Sequence, residues 1–336
     1  MAHRKGKCQS VKNQTGMRWC HHISPCIMTL SMITTLLLIS SGCEHKALWM
    51  PESPVEATEV EYDWSEYAGD TPPGMTLYLY PLSTDENPWL FNLDHRGGII
   101  NVPEDTYRLI SYNNNTDGIL FRNTNDYTRL EVYTRNGNLL DGLDSPYSGS
   151  LPSRAIEEPV VITPDMMWTT AVTEKVGGKR IILTPRRLTP RYSFTVTDVS
   201  NIGGVSKICA AISGLVGGVY LDNNSPSVYP VTLPSPARAD AAGIITGSII
   251  TFGIPDLPSA ENVLSLYIWL KDGSKHSFNF DVTGQIREAP DPMEVDITLS
   301  GLELPEVETS PDDPTGGIGV DVDSWHTVDI ELKPIE

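Results

Sequence analysis

Apolar and polar residues alternate at every second position along much of the chain after Met75. In the segment MTLYLYP, Leu77 and Leu79 alternate with Tyr78 and Tyr80, which is typical of a strand with one buried face. The segments RYSFTVTDV and MEVDITLSGLELP repeat this period of two farther along the chain. Convincing helical periodicity is not sustained in any long segment. The sequence therefore predicts an all-β protein of short strands packed as β-sandwiches.

Turn-forming residues separate the expected strands. The segment ICAAISGLVGGVYL is rich in small apolar residues and fits either a helix or a buried strand, because periodicity alone does not decide between them. Residue pairs with glycine mark the other connections. They predict hairpins at Asn136-Gly137 and Asp272-Gly273, and a turn at Gly177-Gly178 between strands over 167–172 and 180–184.

The length of the strand-rich body predicts two domains. Roughly 260 residues exceed one typical sandwich, and TPRRLTPR interrupts two strands near 185–190. We therefore expect an N-terminal β-sandwich over 73–188 and a C-terminal β-sandwich over 189–336. Residues 43–72 are rich in Pro and Glu and are interpreted as an exposed tether, with 60–64 adding an edge strand.

The first 42 residues have the order of a secretory signal peptide. Basic residues precede an apolar stretch over 26–39, and Ser40, Ser41 and Gly42 follow it immediately before Cys43. The apolar stretch is shorter than the roughly 20 residues that a comfortable membrane span requires. We predict a signal peptide over 1–42. Cys43 is then either the lipid-accepting residue of a lipoprotein signal or an incidental cysteine after an ordinary signal peptide.

Cysteine usage separates the leader from the body. Four of the five cysteines lie within the first 43 residues, and Cys209 is the fifth. One remaining cysteine forms no internal disulfide, so bridges do not hold the body together. Cys209 stands between Ile208 and Ala210 in an apolar run, which favours a buried packing thiol over a nucleophile.

The charge of the mature chain excludes one class of partner. Five of the 24 basic residues and none of the 43 acidic ones lie in the leader, which leaves 19 against 43 and a formal charge of −24. A charge of this sign repels nucleic-acid phosphates and anionic membrane surfaces. We therefore predict no nucleic-acid partner.

Catalytic and cofactor motifs were not found in the sequence. The four histidines of the mature chain lack metal-ligand spacing, and neither a nucleophile elbow nor a phosphate-binding loop is present. The sequence accordingly predicts a protein that is not an enzyme, with no cofactor and no metal. Tryptophan residues of the mature chain could stack on sugars, although such residues more often fill sandwich cores.

The combined pattern resembles the fimbrillin-like surface lipoproteins of Bacteroidota-type bacteria, in particular their fimbrium-anchoring branch. The features that carry the resemblance are the Ser-Ser-Gly-Cys lipobox ending at Cys43 and the following segments: GMTLYLYP, GGIINVPEDTYRLISYNNNTDGILF, RYSFTVTDVSN, AAISGLVGGVYL and GGIGVDVDSWHTVDIELKPI. The lipobox departs from the common pattern, since Ser40 stands where leucine is usual. The resemblance implies two tandem transthyretin-like β-sandwich domains, a lipid on Cys43 (the palmitate-type modification of lipoproteins), and attachment to the outer membrane facing outward.

The same resemblance bears on the role within a fimbrium. Shaft subunits of this kind are cut after an arginine upstream of the first core strand, which opens a groove for a neighbour's strand. Between Cys43 and Met75 the chain contains no arginine, and Lys46 is the one basic residue there. An uncut chain keeps its lipid and its first strand, which favours an anchor or accessory subunit that contacts fimbrillin-like subunits by strand exchange. The alternative is a glycan-binding lipoprotein of a polysaccharide-uptake system, which predicts aromatic residues grouped on one exposed face.

The C-terminal segment leaves one question open. Residues 305–317 are expected to form a flexible acidic spacer, and the strands over 318–336 alternate strictly. Such strands can close the second domain as a terminal hairpin or reach the open sheet edge of a neighbour. The sequence does not choose between these arrangements.

Overall fold

The computed structural model describes residues 55–141, 143, 158–227, 229–257, 260–307 and 325–330, all within one unit, Ser53–Glu336. The described chain is almost entirely strand, as the period of two predicts. The strands are β1 Val55–Tyr62, β2 Gly74–Pro81, β3 Trp89–Asp94, β4 Gly97–Pro103, β5 Asp105–Asn113, β6 Ile119–Arg122, β7 Glu131–Thr134, β8 Trp168–Val176, β9 Ile181–Leu183, β10 Arg186–Arg187, β11 Arg191–Thr197, β12 Val205–Val216, β13 Gly218–Tyr220, β14 Ser225–Pro226, β15 Pro230–Ala239, β16 Ile245–Ile250, β17 Val263–Leu270, β18 Lys275–Asp281, β19 Glu294–Ser300 and β20 Trp325–Ile330. A 3-10 helix spans Ile202–Gly204, and helix α1 spans Thr283–Arg287.

The first sheet has eight strands in the order β10-β8-β5-β2-β3-β4-β1-β9. Its two edge strands, β9 and β10, are separated along the chain only by the short step from Leu183 to Arg186. Because an extended residue spans at most about 3.6 Å, this step forces the two edges of the sheet close together. The sheet is therefore curled around its own core, in which Leu77, Leu79 and Tyr107 are buried.

Strand β1 differs from the prediction of an exposed tether over 43–72 with an edge strand at 60–64. It pairs antiparallel with β4 on one side and parallel with β9 on the other, so it is an inner strand. Val60 and Tyr62 are buried, whereas Glu59 is exposed and Glu61, between the two buried residues, is half-buried. The charged residues that suggested a solvated tether alternate with the core residues and form the outer face of this strand.

The second sheet also has eight strands, in the order β19-β11-β16-β15-β12-β17-β18-β20. Strand β15 pairs with β12 along its first part and with β16 at its end, so it connects the two halves of the folded sheet. Between these halves lies a core that includes Phe194, Phe278 and Phe280. The ambiguous segment ICAAISGLVGGVYL forms β12 and β13, with Ala210, Ala211 and Ile212 fully enclosed.

A third sheet joins the two halves of the sequence. Its four strands run in the order β14-β13-β7-β6, so residues before 135 pair with residues after 217. Next to it, the Arg108 guanidinium donates to the Asp222 carboxylate at 2.7 Å and to the Asp222 carbonyl at 2.6 Å. The two-sandwich fold class is confirmed, since the strands of one large sheet precede 188 and those of the other follow it. The domain limits 73–188 and 189–336 stay a prediction, because the third sheet crosses that join.

Turn predictions from glycine had mixed outcomes. The Asp272-Gly273 hairpin is confirmed, with β17 and β18 antiparallel and Gly273 at φ 87°. The Asn136-Gly137 hairpin is wrong: β7 ends at Thr134, and Asn136 forms an isolated bridge with Val161 instead. The backbone N–H of Gly137 donates to Val160, so a distant segment takes the place of the expected local strand.

The turn at Gly177-Gly178 is present, but the strands on either side of it do not pair. Both glycines have positive φ, 148° and 63°, a region that L side chains rarely adopt. Strand β8 pairs with β5 and β10, while β9 pairs with β1 at the other edge. The turn therefore carries the chain from one edge of the curled sheet to the other.

Two sequence predictions lie outside the described residues. The signal peptide over 1–42 and Cys43 precede Val55, where the description begins. Most of the expected spacer and the alternating residues 320–323 fall within 308–324, which are also not described. Among the helices that are described, none is long and apolar enough to cross a membrane.

Candidate assembly interface

The C-terminal strand β20 pairs within its own chain. It runs parallel to β18, with Trp325 opposite Lys275 and Ile330 opposite Phe280. The described part of the C-terminal segment therefore extends its own sheet, next to a strand that ended 44 residues before β20 begins. Residues 318–323, which would form the other strand of a terminal hairpin, lie outside the described residues.

Polar side chains connect β20 to β18 on one face of the pair. The Ser277 hydroxyl donates to the Thr327 hydroxyl at 2.9 Å, and the Asn279 amide donates to the Asp329 carboxylate at 2.8 Å. Asn279 is in turn the acceptor of a 2.7 Å hydrogen bond from the Ser265 hydroxyl on β17. Ser277 and Asn279 are buried, so these bonds satisfy polar groups that the strand pairing encloses.

Aromatic packing holds the first residue of β20. The Trp325 ring stands edge-on to Trp269 at a centroid distance of 4.9 Å and to Tyr267 at 5.7 Å. Edge-to-face geometry at these distances is the favoured aromatic arrangement. At the other end, Ile330 packs against the second core.

The middle of β20 is otherwise open to solvent. Its four central residues are exposed, and the Val328 side chain keeps 43% of its surface accessible. Strand β20 is also the last strand of its sheet, so its outer backbone edge has no sheet neighbour in the described part of the chain. An edge of this kind can accept a strand from another protein.

The opposite edge of the same sheet is covered. At the middle of β19, the Gln285 side chain donates to the Thr298 carbonyl at 3.2 Å and accepts from the Thr298 N–H at 2.8 Å. The amide of Gln285 thus takes the place of a neighbouring strand. At the start of β19, Arg187 donates to the Met293 carbonyl and the Glu294 carboxylate. Of the two edges of this sheet, the β20 edge is the accessible one.

The first sheet offers little edge for pairing. Its edge strands β9 and β10 have three and two residues, respectively. Very short edge strands are one way in which proteins prevent edge-to-edge association. An ion pair between Arg180 and Glu61 connects the chain beside β9 to β1.

Strand β1 is fixed in the sheet by buried side chains. The Tyr62 hydroxyl and the Ser111 hydroxyl are 2.6 Å apart, and Ser111 donates to the Thr76 carbonyl at 2.8 Å. Burial raises the pKa of Tyr62 well above its ordinary value, so the phenol stays neutral. Removing β1 would take Val60 and Tyr62 out of the core and uncover the apolar residues that they cover.

Aromatic residues are packed inward in the described chain. Trp168 and Trp269 are buried, and Tyr112 stacks on Phe121 at a centroid distance of 4.4 Å. Among the described residues, Tyr229 is the one exposed aromatic residue, with 79% of its surface accessible, whereas others such as Trp64 and Tyr67 are half-buried and in contact with each other. The group of exposed aromatic rings that the glycan-binding alternative predicts is therefore not found among the described residues.

The structure adds residues that the sequence did not single out. Cys209 is fully buried as expected, and burial raises its pKa to about 12, which keeps the thiol protonated. Gln285 and the Arg108–Asp222 pair carried no sequence signal, because each depends on a partner far along the chain. In the described part of the chain, acidic, histidine and cysteine side chains form no group of three that could hold a metal.

Residues 42–235 match the family described as "Domain of unknown function (DUF5119)". A curated relative from Bacteroides ovatus, named "Putative fimbrium anchoring subunit Fim4B", is 23% identical over 91% of this chain and 97% of its own length. The crystal structure of a "putative adhesin" from Bacteroides ovatus ATCC 8483 aligns with a TM-score of 0.61 at 21% identity, over 76% of this chain and 95% of that one. This likeness supports the fold. The fimbrial anchor protein Mfa2 from Porphyromonas gingivalis aligns with a TM-score of 0.48 at 12% identity, over 74% of this chain and 91% of that one.

Proposed function

The chain belongs to the DUF5119 family, and from this premise we propose that it is an anchor or accessory subunit of a fimbrium, a non-catalytic adhesion protein at the cell surface. The observation that carries the proposal is the near full-length likeness to a relative named as a fimbrium anchoring subunit. The adhesin fold of the aligned crystal structure is consistent with it.

The seating of β1 supports an anchor over a shaft role. A shaft subunit of the fimbrillin type loses its first strand after cleavage at an arginine, but no arginine lies between Cys43 and Met75. In this chain β1 is an inner strand, with Val60 and Tyr62 in the core. A chain that keeps this strand has no groove to offer in its first sheet, so it terminates a row of subunits instead of extending it.

Attachment to the outer membrane is assigned to a lipid on Cys43. The cysteine follows Ser40, Ser41 and Gly42 at the end of the apolar stretch, which is the order that lipoprotein processing requires. Each buried methylene of an acyl chain contributes about 0.8 kcal/mol, so two or more chains give firm anchoring. From Cys43 to Val55, the chain is long enough to hold the folded body off the membrane surface.

The C-terminal region is assigned the coupling role. Strand β20 lies at the accessible edge of the second sheet, and its middle residues make few apolar contacts. Pairing with a fimbrillin-like subunit would occur there by strand addition, either on the outer edge of β20 or in its place beside β18.

Deletion of residues 318–336 tests the proposal in fimbriated cells that lack the native protein. We expect the truncated protein to remain in the membrane fraction, because the first sheet and Cys43 are intact, while fimbriae are shed into the medium. Shed and retained fimbriae are measured by immunoblotting after mild shear, with cells expressing the full chain as the control. Firm retention of fimbriae by the truncated protein would show that this segment does not couple them.

A further inference from the structure

Two histidines face each other across the β18–β20 pair. His276 and His326 are directly opposite in the register of the two strands, and their rings stack at a centroid distance of 5.2 Å and an angle of 26°. His326 is the exposed member, and His276 is half-buried between it and Ile268 on β17. We propose that this pair is a pH-sensitive latch that keeps β20 docked while both rings are neutral and loosens it when they are protonated.

Charge repulsion is the physical basis of the latch. Two neutral imidazoles stack favourably, but two imidazolium ions at this distance repel each other. Histidine has an unperturbed pKa of about 6.5, so the change falls in a range that bacteria encounter. The repulsion acts across the contact that holds β20 to the sheet, and moving β20 away relieves it.

The surroundings of His276 contain few groups that oppose this effect. Burial lowers its pKa, the charge of His326 lowers it further, and the Asp272 carboxylate at the hairpin acts in the opposite direction. Among the described residues, two uncharged groups also contact it: the Ser274 hydroxyl lies 3.1 Å from a ring nitrogen, and the Phe278 ring stacks at 6.3 Å. The residues directly opposite His276 are Ile268 on β17 and His326 on β20.

The direction of the pH effect follows from these shifts. Because the pKa of His276 is lowered when β20 is docked, the docked state binds fewer protons than the released state. Docking is therefore fully favoured above the ordinary histidine pKa and is weakened as the pH falls through it. A carboxylate beside the rings would oppose this sign. Asp329 is the acidic residue of β20, and it lies on the opposite face of the strand from His326, where it accepts a hydrogen bond from Asn279.

Hydrogen exchange of the purified mature chain tests the latch. The amides of 325–330 are followed by mass spectrometry at about pH 7.5 and about pH 5.5, with rates normalised for intrinsic exchange at each pH. We expect their protection to fall on the order of fivefold at the lower pH, the size typical of like charges directly opposite on neighbouring strands. Amides of β2, in the core of the first sheet, serve as the internal reference and should keep their protection.

Three variants make the test specific. His326→Gln removes one charge at an exposed position, so β20 should stay docked at both pH values, and His276→Gln should behave alike. His95→Gln is the matched control, because His95 lies in the β3–β4 turn beside Asp94 and should leave the response of the wild type unchanged. An unchanged protection of 325–330 in the wild type, or an equal loss in His326→Gln, would overturn the latch. The measurement needs no fimbriae, so its failure is distinct from failure of the proposed function.

Discussion

The two cysteines of the mature chain differ in what their surroundings allow. Cys209 on β12 has no accessible surface, and its raised pKa of about 12 keeps the sulfur protonated and unreactive. Cys43 directly follows the small residues Ser40, Ser41 and Gly42 at the end of an apolar stretch. One residue type thus serves packing at one position and, in our proposal, membrane attachment at the other.

Substitution of Cys43 by serine tests this assignment. We expect Cys43→Ser to leave the outer-membrane fraction as a soluble or uncleaved species and to lose incorporation of a labelled fatty acid, because serine offers no thiol for the lipid. The matched control is Cys209→Ala, which removes the other thiol and should leave both fractionation and labelling intact. Unchanged fractionation and labelling of Cys43→Ser would exclude Cys43 as the lipid acceptor.

The two edge strands of the second sheet differ in whether other groups of the chain cover their outer backbone. Strand β19 is closed by the Gln285 side chain from helix α1, which uses both its N–H and its carbonyl on Thr298. Strand β20 has no such cover in the described chain and is fastened through side chains at its inner edge. Under the proposed function, closing one edge and leaving the other accessible would direct strand addition to a single place.

Loss of the Gln285 side chain should make the backbone of β19 available for pairing with a strand of another molecule. In Gln285→Ala, the Thr298 N–H and carbonyl lose their partners, so we expect unfolding to become easier by about 1 kcal/mol and self-association to increase. Arg287→Ala is the matched control on the same helix, since Arg287 binds the carbonyls of Leu257 and Ala260, away from β19. Analytical ultracentrifugation measures the association. Equal monomer content in both variants would show that Gln285 does not protect the edge.

On the scale of the whole molecule, contacts across the third sheet connect the two halves. The side chains of Arg108 and Asp222 keep only 18% and 25% of their surface accessible, and β7 pairs with β13 beside them. Val161, from the chain before the expected join, lies in the second core. Each half therefore has one core mainly of its own, but the two halves also share the third sheet, a half-buried ion pair and two mixed apolar clusters. Ile110 packs with Phe252 in one of these clusters, and Leu140 packs with Trp269 in the other.

A fragment of residues 191–336 tests how independent the second half is. Because the cluster around Phe194, Phe278 and Phe280 is built almost wholly from residues of this fragment, we expect cooperative urea unfolding. We also expect lower stability than in the full mature chain, by about 2 kcal/mol or more, since burial of Val161 and the β7–β13 pairing are lost. The full mature chain, unfolded under the same conditions, is the reference. A fragment without a cooperative transition would refute the two-domain prediction.

The sequence by itself determined that the segments with clear alternation become strands, and which side of each of them is buried. The period of two in RYSFTVTDV appears in β11 as strictly alternating burial, with Tyr192, Phe194 and Val196 inward. Pattern of this kind is local, since neighbouring side chains of a strand point to opposite faces whatever the strand pairs with. The hairpin at Asp272-Gly273 was predicted correctly for the same reason, because its two strands are adjacent in sequence.

Only the tertiary structure decided which strands are neighbours and what each edge presents. The inner position of β1, the separation of β8 from β9, and the return of β20 to β18 all depend on pairings between distant segments. Periodicity contains no information on such pairings, because the same alternating strand satisfies its backbone equally well beside many partners. The stacking of His276 on His326, 50 residues apart, became visible for the same reason only when the register was known.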